Sequence, residues 1–284
     1  MGTSISTQKT IAREGSISGR GLHTGERAVV FLRPAPPHSG IRFYRKGEAV
    51  SANRFHEGRQ EAQGSLRATS IGLQSNRVQT VEHLLAAFLG LGISNAEVTV
   101  EGPEVPGLDG SAADFVKALK ELGTVDQSEK EDCWEIPEPL FCHETHKAVC
   151  VYPAEEFKVS YILNYDHPYL EFQKAEFTVT PQVFEKEIAP ARTFCTEAEA
   201  AQLRSRGLGR GATYQNTLVI SEKGAVQNEF RFENECARHK VLDLLGDLNL
   251  LGFRILGHVV ALRSGHSLNQ KLVEQIQTKR AGYA

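Results

Sequence analysis

Thr80–Gly102 reads TVEHLLAAFLGLGISNAEVTVEG, and Ala237–Leu262 reads ARHKVLDLLGDLNLLGFRILGHVVAL. Both stretches place a histidine, His83 and His239, at the head of an apolar run long enough for a helix. Both runs stop at glycine, a residue that commonly closes a helix. Both then give a short run with strand character, Ala96–Val100 and Val259–Leu262. The parallel continues downstream. Asp109-Gly110-Ser111 precedes a stretch with Phe115, Leu119 and Leu122 on one side, and Ser264-Gly265-His266-Ser267 precedes Leu268, Leu272, Val273 and Ile276 at helical spacing. Ser111 and Ser267 are the expected N-caps. One unit written twice, with strands first and helices later, predicts an α+β fold: two similar domains related by duplication, each a β-sheet packed on helices.

Further strand-like runs are Ala28–Leu32 and Ile41–Tyr44 in the first half, and Val149–Tyr152, Val159–Leu163 and Glu176–Val179 in the second. Residues 123–132, GTVDQSEKED, are polar and short, and no apolar pattern crosses them. The expected division is therefore 1–124, carrying the Glu82/His83 helix, and 125–284, carrying the His239/Asp243 helix and the His266 loop. Residues 196–220 read as an insertion in the second unit: a short helix over Ala198–Arg204, a glycine-rich turn GLGRGA, then the strand TLVI.

The bulk numbers agree with such a fold. The chain has 284 residues, 40% hydrophobic and 24% charged, an ordinary globular mixture able to bury a core. At about 150 residues per domain it makes roughly two. A net charge of −3 argues against dedicated nucleic-acid binding, which needs clustered Lys and Arg. Residues 1–60 nevertheless hold 10 basic and 4 acidic side chains, a local bias that suits an anionic small substrate. No stretch approaches the ~20 apolar residues of a spanning helix, and the start MGTSISTQKT lacks the charged head and apolar middle of a signal peptide. The five cysteines, Cys133, Cys142, Cys150, Cys195 and Cys236, are odd in number and form no C-x-x-C pair, which disfavours a disulfide framework and a cysteine zinc site. A cytoplasmic chain is expected.

His239 and Asp243 are four residues apart, so on a helix they share one face. Imidazole and carboxylate are ordinary zinc ligands, although this spacing is also that of a plain hydrogen-bonded surface pair. His83, preceded by Glu82, is by itself a capping or core histidine as readily as a ligand. The repeat gives it weight: if the two units face each other, His83, His239 and Asp243 converge into a His₂-carboxylate set with an open position, the layout of catalytic zinc. Glu82 would then stand beside the reacting water as general base. His266 reads either as a turn histidine or as a general acid, with Asp247, one turn beyond Asp243, to orient it. Ser18–Gly25 is glycine-rich but precedes a strand, so a tight turn is expected there rather than a phosphate cradle.

Seven segments together, GLHTGERAVVFLRPAP, TVEHLLAAFLGLGI, EVPGLDGSAADF, ARTF, RGLGRGA, RHKVLDLLGDL and SGHSLNQKL, make the chain resemble the UDP-3-O-acyl-N-acetylglucosamine deacetylases, from about residue 8 to 275. The resemblance implies a metal-dependent amidase that hydrolyses the N-acetyl group of a UDP-linked acylated amino sugar, the committed step of lipid A biosynthesis. It implies one Zn²⁺ per chain on His83, His239 and Asp243, with Fe²⁺ acceptable to the same donors. It implies Glu82 as the catalytic glutamate and His266 as the histidine that protonates the leaving amine or stabilises transition-state charge. Asp247 would be the partner of His266, and Thr193 a hydroxyl polarising the scissile carbonyl. Lys240 and Phe194 are implied as substrate contacts. The insertion corresponds to an apolar passage for the fatty-acyl chain, where Gly211-Ala212-Thr213 stands in place of the common Gly-Gly-Ser and its added methyl groups reshape the passage. A monomer is expected.

Two rival readings are weaker. A zinc protease of the H-E-x-x-H type lacks its motif. A catalytically dead binder of the nucleotide sugar would have lost Glu82, His266 or a ligand, and all are present.

Overall fold

A computed structural model of the chain describes residues 6–51, 68–73 and 76–283. Two sheets are built on the same plan. The first runs Gly15–Arg20, Arg27–Pro34, Ala96–Glu101, Ile41–Arg45, Glu48–Val50 across the sheet; the second runs Leu140–Glu144, Lys147–Tyr152, Arg254–Leu262, Phe157–Leu163, Gln173–Thr178. In each, the last strand in sequence is inserted at the centre, antiparallel to the second strand and parallel to the third. The short strand Cys133–Glu135 adds in parallel to the start of Arg254–Leu262.

Strand alternation puts the apolar side chains inward. Val30 pairs Val100 and Leu32 pairs Val98, while Val149 pairs Ala261 and Val151 pairs Val259. In each unit a helix precedes the central strand, Glu82–Leu91 and Glu235–Asn249, and another follows it, Ala113–Leu122 and His266–Ala281. The first pair of helices is buried almost all round, because they pack on each other and share one apolar core with the sheets. One apolar core therefore runs from Val30 and Val98 through Leu84, Phe88, Leu242 and Leu245 to Val149 and Val259. The helices cross at Gly246. A Cβ there would lie 2.1 Å from the Glu82 carbonyl oxygen, so only glycine lets the two backbones meet. Asn249 donates to the Leu85 carbonyl at 2.8 Å beside the crossing.

The expected strands and the two motif-bearing helices form as the periodicity indicates. Residues 123–132 differ: Thr124–Lys130 is a strand, paired antiparallel with Thr7–Ile11 through Ile11↔Thr124 and Lys9↔Asp126. Its residues are mostly exposed, so backbone pairing leaves no apolar alternation to read. Ser267 is not a cap, because the last helix begins at His266 after an extended Gly265. Ser111 is not the N-cap either: that position is Ala112, which has no side-chain cap bond, and Ser111 one residue earlier accepts from the Ala113 amide at 3.1 Å. The glycine-rich Gly21–Glu26 is the turn of a hairpin between Gly15–Arg20 and Arg27–Pro34. Its His23 and Thr24 amides both donate to the buried Glu104 carboxylate at 2.9 Å. Within the insertion, Glu197–Ser205 is a helix capped reciprocally by Thr196 and Glu199, and Leu218–Ser221 pairs in parallel with Phe194–Thr196. All five cysteines are free, and only Cys133 is exposed. Among the described residues no helix is long and apolar enough to cross a membrane.

Candidate active site

The site lies where the two central helices cross. Glu82 and His83 are the first two residues of Glu82–Leu91, and His239, Asp243 and Asp247 recur each turn along Glu235–Asn249. The helix crossing brings His83 Nε2 to 3.7 Å from Asp243 Oδ1, and His239 Nε2 lies 3.3 Å from the same oxygen. The two imidazoles meet edge to face, ring centroids 5.0 Å apart. All three side chains are buried, and their donor atoms fall within 4.8 Å of one another. His239 Nδ1 donates to the Ala191 carbonyl at 3.0 Å, which leaves the Nε2 lone pair facing the site.

The chemistry of this donor set fits a divalent ion. Ligand atoms about 2 Å from a tetrahedral ion lie about 3.3 Å apart, close to the separations found. Burial, reinforced by the neighbouring His239, pushes the His83 pKa down to about 3, and burial likewise lowers His239. Both imidazoles are therefore neutral donors. Burial alone would raise Asp243, but Lys240 and the surrounding histidines hold it far below the usual carboxylate range. Lys240 Nζ donates to Asp243 Oδ2 at 2.6 Å, leaving Oδ1 to the histidines.

A second set of groups faces the first. His266 opens the last helix, and its Nε2 stands 3.9 Å from both Glu82 Oε1 and Asp243 Oδ2. Its Nδ1 donates to Asp247 Oδ2 at 2.9 Å. Burial works against the imidazolium, yet Asp247, then Asp243 and Glu82, outweigh it and push the pKa up to about 9. Burial pushes Glu82 up to about 8, opposed by His266. Asp247 is fully buried, and it also accepts from the Asn269 amide at 2.8 Å and the Thr69 hydroxyl at 2.5 Å.

A cleft of about 810 Å³, open solvent at its mouth included, is lined by Glu82, His83, His239, Asp243 and Thr193 together with the apolar Leu22, Cys195, Leu203 and Val219. Phe194 stands edge to face with His239 at 6.3 Å and with Tyr165 at 6.3 Å. Ala212 and Thr213 line the cleft. Gly211 instead packs on the hairpin turn: its amide donates to the Leu22 carbonyl at 3.1 Å, and a Cβ would come within 2.1 Å of the Gly21 oxygen.

Four residues around the site were not singled out from sequence. Thr69 sits in a polar stretch with no periodic signal. Asn269 stands one turn after His266 in the SGHSLN motif, which could have marked it. Gly246 carries no side chain to read. Arg192 of ARTF is buried and grips Glu235, Nε to Oε1 at 2.9 Å and Nη2 to Oε2 at 3.2 Å, while its own amide donates to Oε1 at 3.0 Å. This pins the loop bearing Ala191 and Thr193 to the head of the His239 helix.

Comparison with known proteins gives the same direction. The family model LpxC, UDP-3-O-acyl N-acetylglycosamine deacetylase, matches residues 8–278. A UDP-3-O-acyl-N-acetylglucosamine deacetylase of Syntrophotalea carbinolica is 41% identical over 277 residues, covering 95% of this chain and 87% of the relative. One of Anaeromyxobacter sp. is 40% identical over 270 residues, covering 95% and 88%. One of Thermodesulfovibrio yellowstonii is 36% identical over 273 residues, covering 94% and 92%. With a match of this extent and a buried His₂-Asp set in the cleft, the chain belongs to the UDP-3-O-acyl-N-acetylglucosamine deacetylase family.

Proposed function

We propose that this chain hydrolyses the N-acetyl amide of UDP-3-O-acyl-N-acetylglucosamine, giving acetate and the free 2-amino sugar, the step of lipid A biosynthesis performed by its family. The observation that carries this reading is the meeting of His83, His239 and Asp243 with the Glu82–His266 pair beside a cleft that Leu22, Cys195, Leu203 and Val219 also line. His83, His239 and Asp243 would hold one Zn²⁺, or Fe²⁺, which the same donors accept. At these residues such an ion would supply Lewis-acid chemistry.

The chain's own groups divide the remaining work. Glu82 takes the proton of the attacking water at its carboxylate. The Thr193 hydroxyl donates to the acetyl oxygen as charge develops on it. His266 carries a proton on Nε2 toward the leaving nitrogen, while Asp247 on Nδ1 holds the imidazolium in place. Lys240, ion-paired to Asp243, and Phe194, against His239, contact the sugar end. Ala212 and Thr213 shape the passage for the acyl chain, and Gly211 lets the insertion close on the Gly21 hairpin. We assign residues 1–124 and 125–284 to the two repeated units, with 196–220 inserted for the acyl chain, and the working protein to a cytoplasmic monomer.

The test is acetate release from a series of UDP-sugars differing in acyl length, with metal content determined on the same sample. One divalent ion per chain and turnover of the 3-O-acylated substrate are expected. No acetate release from any member, with the metal site full, refutes the reading.

A further inference from the structure

Thr69 is fully buried, just before the short strand Ser70–Ile71. Its backbone N–H donates to Glu82 Oε2 at 3.0 Å. Its carbonyl accepts from the Val81 amide at 3.3 Å, immediately before Glu82. Its hydroxyl donates to Asp247 Oδ1 at 2.5 Å, and the same oxygen lies 3.0 Å from His266 Nδ1, where it shares the proton that Nδ1 also directs to Asp247. One residue thus holds Glu82 on its backbone side and the Asp247–His266 pair on its side-chain side.

This placement has a chemical consequence. Glu82 and His266 carry opposite charges in their working states, and unrestrained they would close into a direct ion pair. They stand 3.9 Å apart instead, too far for a hydrogen bond to each other. The Thr69 amide occupies one Glu82 oxygen and leaves the other for the site. The Thr69 hydroxyl helps fix the imidazole with Nδ1 toward Asp247, so that Nε2 faces the cleft. Glu82 comes from the first unit and His266 from the second, and the hydroxyl contact spans 178 residues of sequence.

We propose that Thr69 is a positioning residue of the deacetylation site, which sets the spacing and facing of Glu82 and His266 across the two units. The proposal rests on the functional reading above. Thr69→Val keeps the amide and the shape and removes only the hydroxyl. It should keep its metal and a KM within about twofold, and lose about 10- to 100-fold in kcat, the scale of a hydrogen bond to charged groups. Thr69→Ser restores the hydroxyl and should recover kcat to within about threefold. A second readout does not depend on turnover. In protein labelled with ¹⁵N-histidine, the His266 Nδ1–H resonance, assigned by its loss in His266→Ala, should be protected from exchange in wild type and Thr69→Ser and shifted or exchange-broadened in Thr69→Val.

Wild-type kcat in Thr69→Val, a rate loss that only follows metal loss, or an unchanged Nδ1–H resonance each overturns the proposal. If Thr69→Val does not fold, Thr69→Ser decides: a displaced resonance and a kcat as low as that of Thr69→Ala overturn it. A wild-type chain that releases no acetate refutes the functional reading, while the resonance comparison still tests Thr69.

Discussion

Gly246→Ala is the most informative single perturbation of this site, because it adds one methyl group at the point on which the metal-binding geometry depends. The new Cβ would stand 2.1 Å from the Glu82 carbonyl oxygen, 2.7 Å from its carbon and 2.8 Å from its Cα. These are backbone atoms at the head of a helix, so no rotamer change relieves the contact. Reaching ordinary contact at 3.4 Å requires the helices to part by roughly 1.3 Å. Overpacking of this kind costs about 1–3 kcal/mol of stability, which a domain of ordinary stability survives. The chemistry is less tolerant. His83 rides on one helix and His239 and Asp243 on the other, so the parting widens the 3.7 Å His83–Asp243 separation while the 3.3 Å His239–Asp243 separation stays within its own helix. A misplacement of about 1 Å costs on the order of 10²-fold in rate. We expect Gly246→Ala to fold with a lower Tm, to bind its metal at least tenfold more weakly in chelator competition, and to lose about 100-fold in kcat/KM at saturating metal. A folded Gly246→Ala protein with wild-type metal affinity and wild-type kcat/KM refutes the reasoning.

Other outcomes follow from the same geometry. His83→Ala, His239→Ala and Asp243→Ala should each lose most of the metal measured by elemental analysis, whereas Glu82→Ala should retain it and lose roughly 10²–10⁴-fold in rate, the range of a positioned general base; metal loss in Glu82→Ala equal to that in His83→Ala would make Glu82 a ligand. Among the described residues, Arg192→Ala removes the only cation from the Glu235 carboxylate, which has no exposure and keeps just the backbone amides of residues 192 and 231, and should cost about 3–5 kcal/mol in denaturant unfolding, with metal affinity down about 10- to 100-fold because the Ala191 carbonyl no longer orients His239; a change under 1 kcal/mol on the same assay removes the clamp from the account. In protein freed of metal, Glu82 and His266 hold their protons up to about 8 and about 9 against ordinary values of 4.5 and 6.5. Their contribution to stability is whole below the ordinary values and is lost as pH rises through the folded ones. His83, lowered from 6.5 to about 3, acts on the acid side, its contribution standing above 6.5 and fading as pH falls. The Tm of the metal-free protein should therefore hold level from about pH 4.5 to 6.5, where the Glu82 loss and the His83 gain offset each other, and decline from pH 6.5 to 9, less steeply in Glu82→Gln; a flat or rising profile from pH 6.5 to 9 contradicts the assignment.

The repeat that decides the fold also explains how the site is assembled. Each unit contributes the helix that precedes its central strand, and stacking two such helices buries faces that neither sheet alone could cover. Glu82, His83, His239, Asp243, Asp247 and His266 cluster at this seam because it is where polar side chains from both units can meet with water largely excluded. There each group's charge state is set by its neighbours: Asp243 by Lys240, and His266 by Asp247.

Sequence by itself determined what is local. Apolar spacing marks the burial face of a helix or strand, so Glu82–Leu91, Glu235–Asn249 and the central strands could be read directly. The four-residue spacing of His239, Asp243 and Asp247 places them on one face without any knowledge of the fold. The repeat and the motifs added His83 and His266 as companions. Tertiary structure alone decided the rest. Gly246 is silent as a residue type, and its meaning is the Glu82 carbonyl resting on it. Thr69 reaches Asp247 across 178 positions, Thr124–Lys130 finds its strand partner in Thr7–Ile11, and Gly211 meets Gly21 rather than the cleft. Periodicity records which way a side chain faces, because burial repeats with the turn of the backbone. A single long-range hydrogen bond or a close backbone approach has no period, and it exists only once the two units have packed.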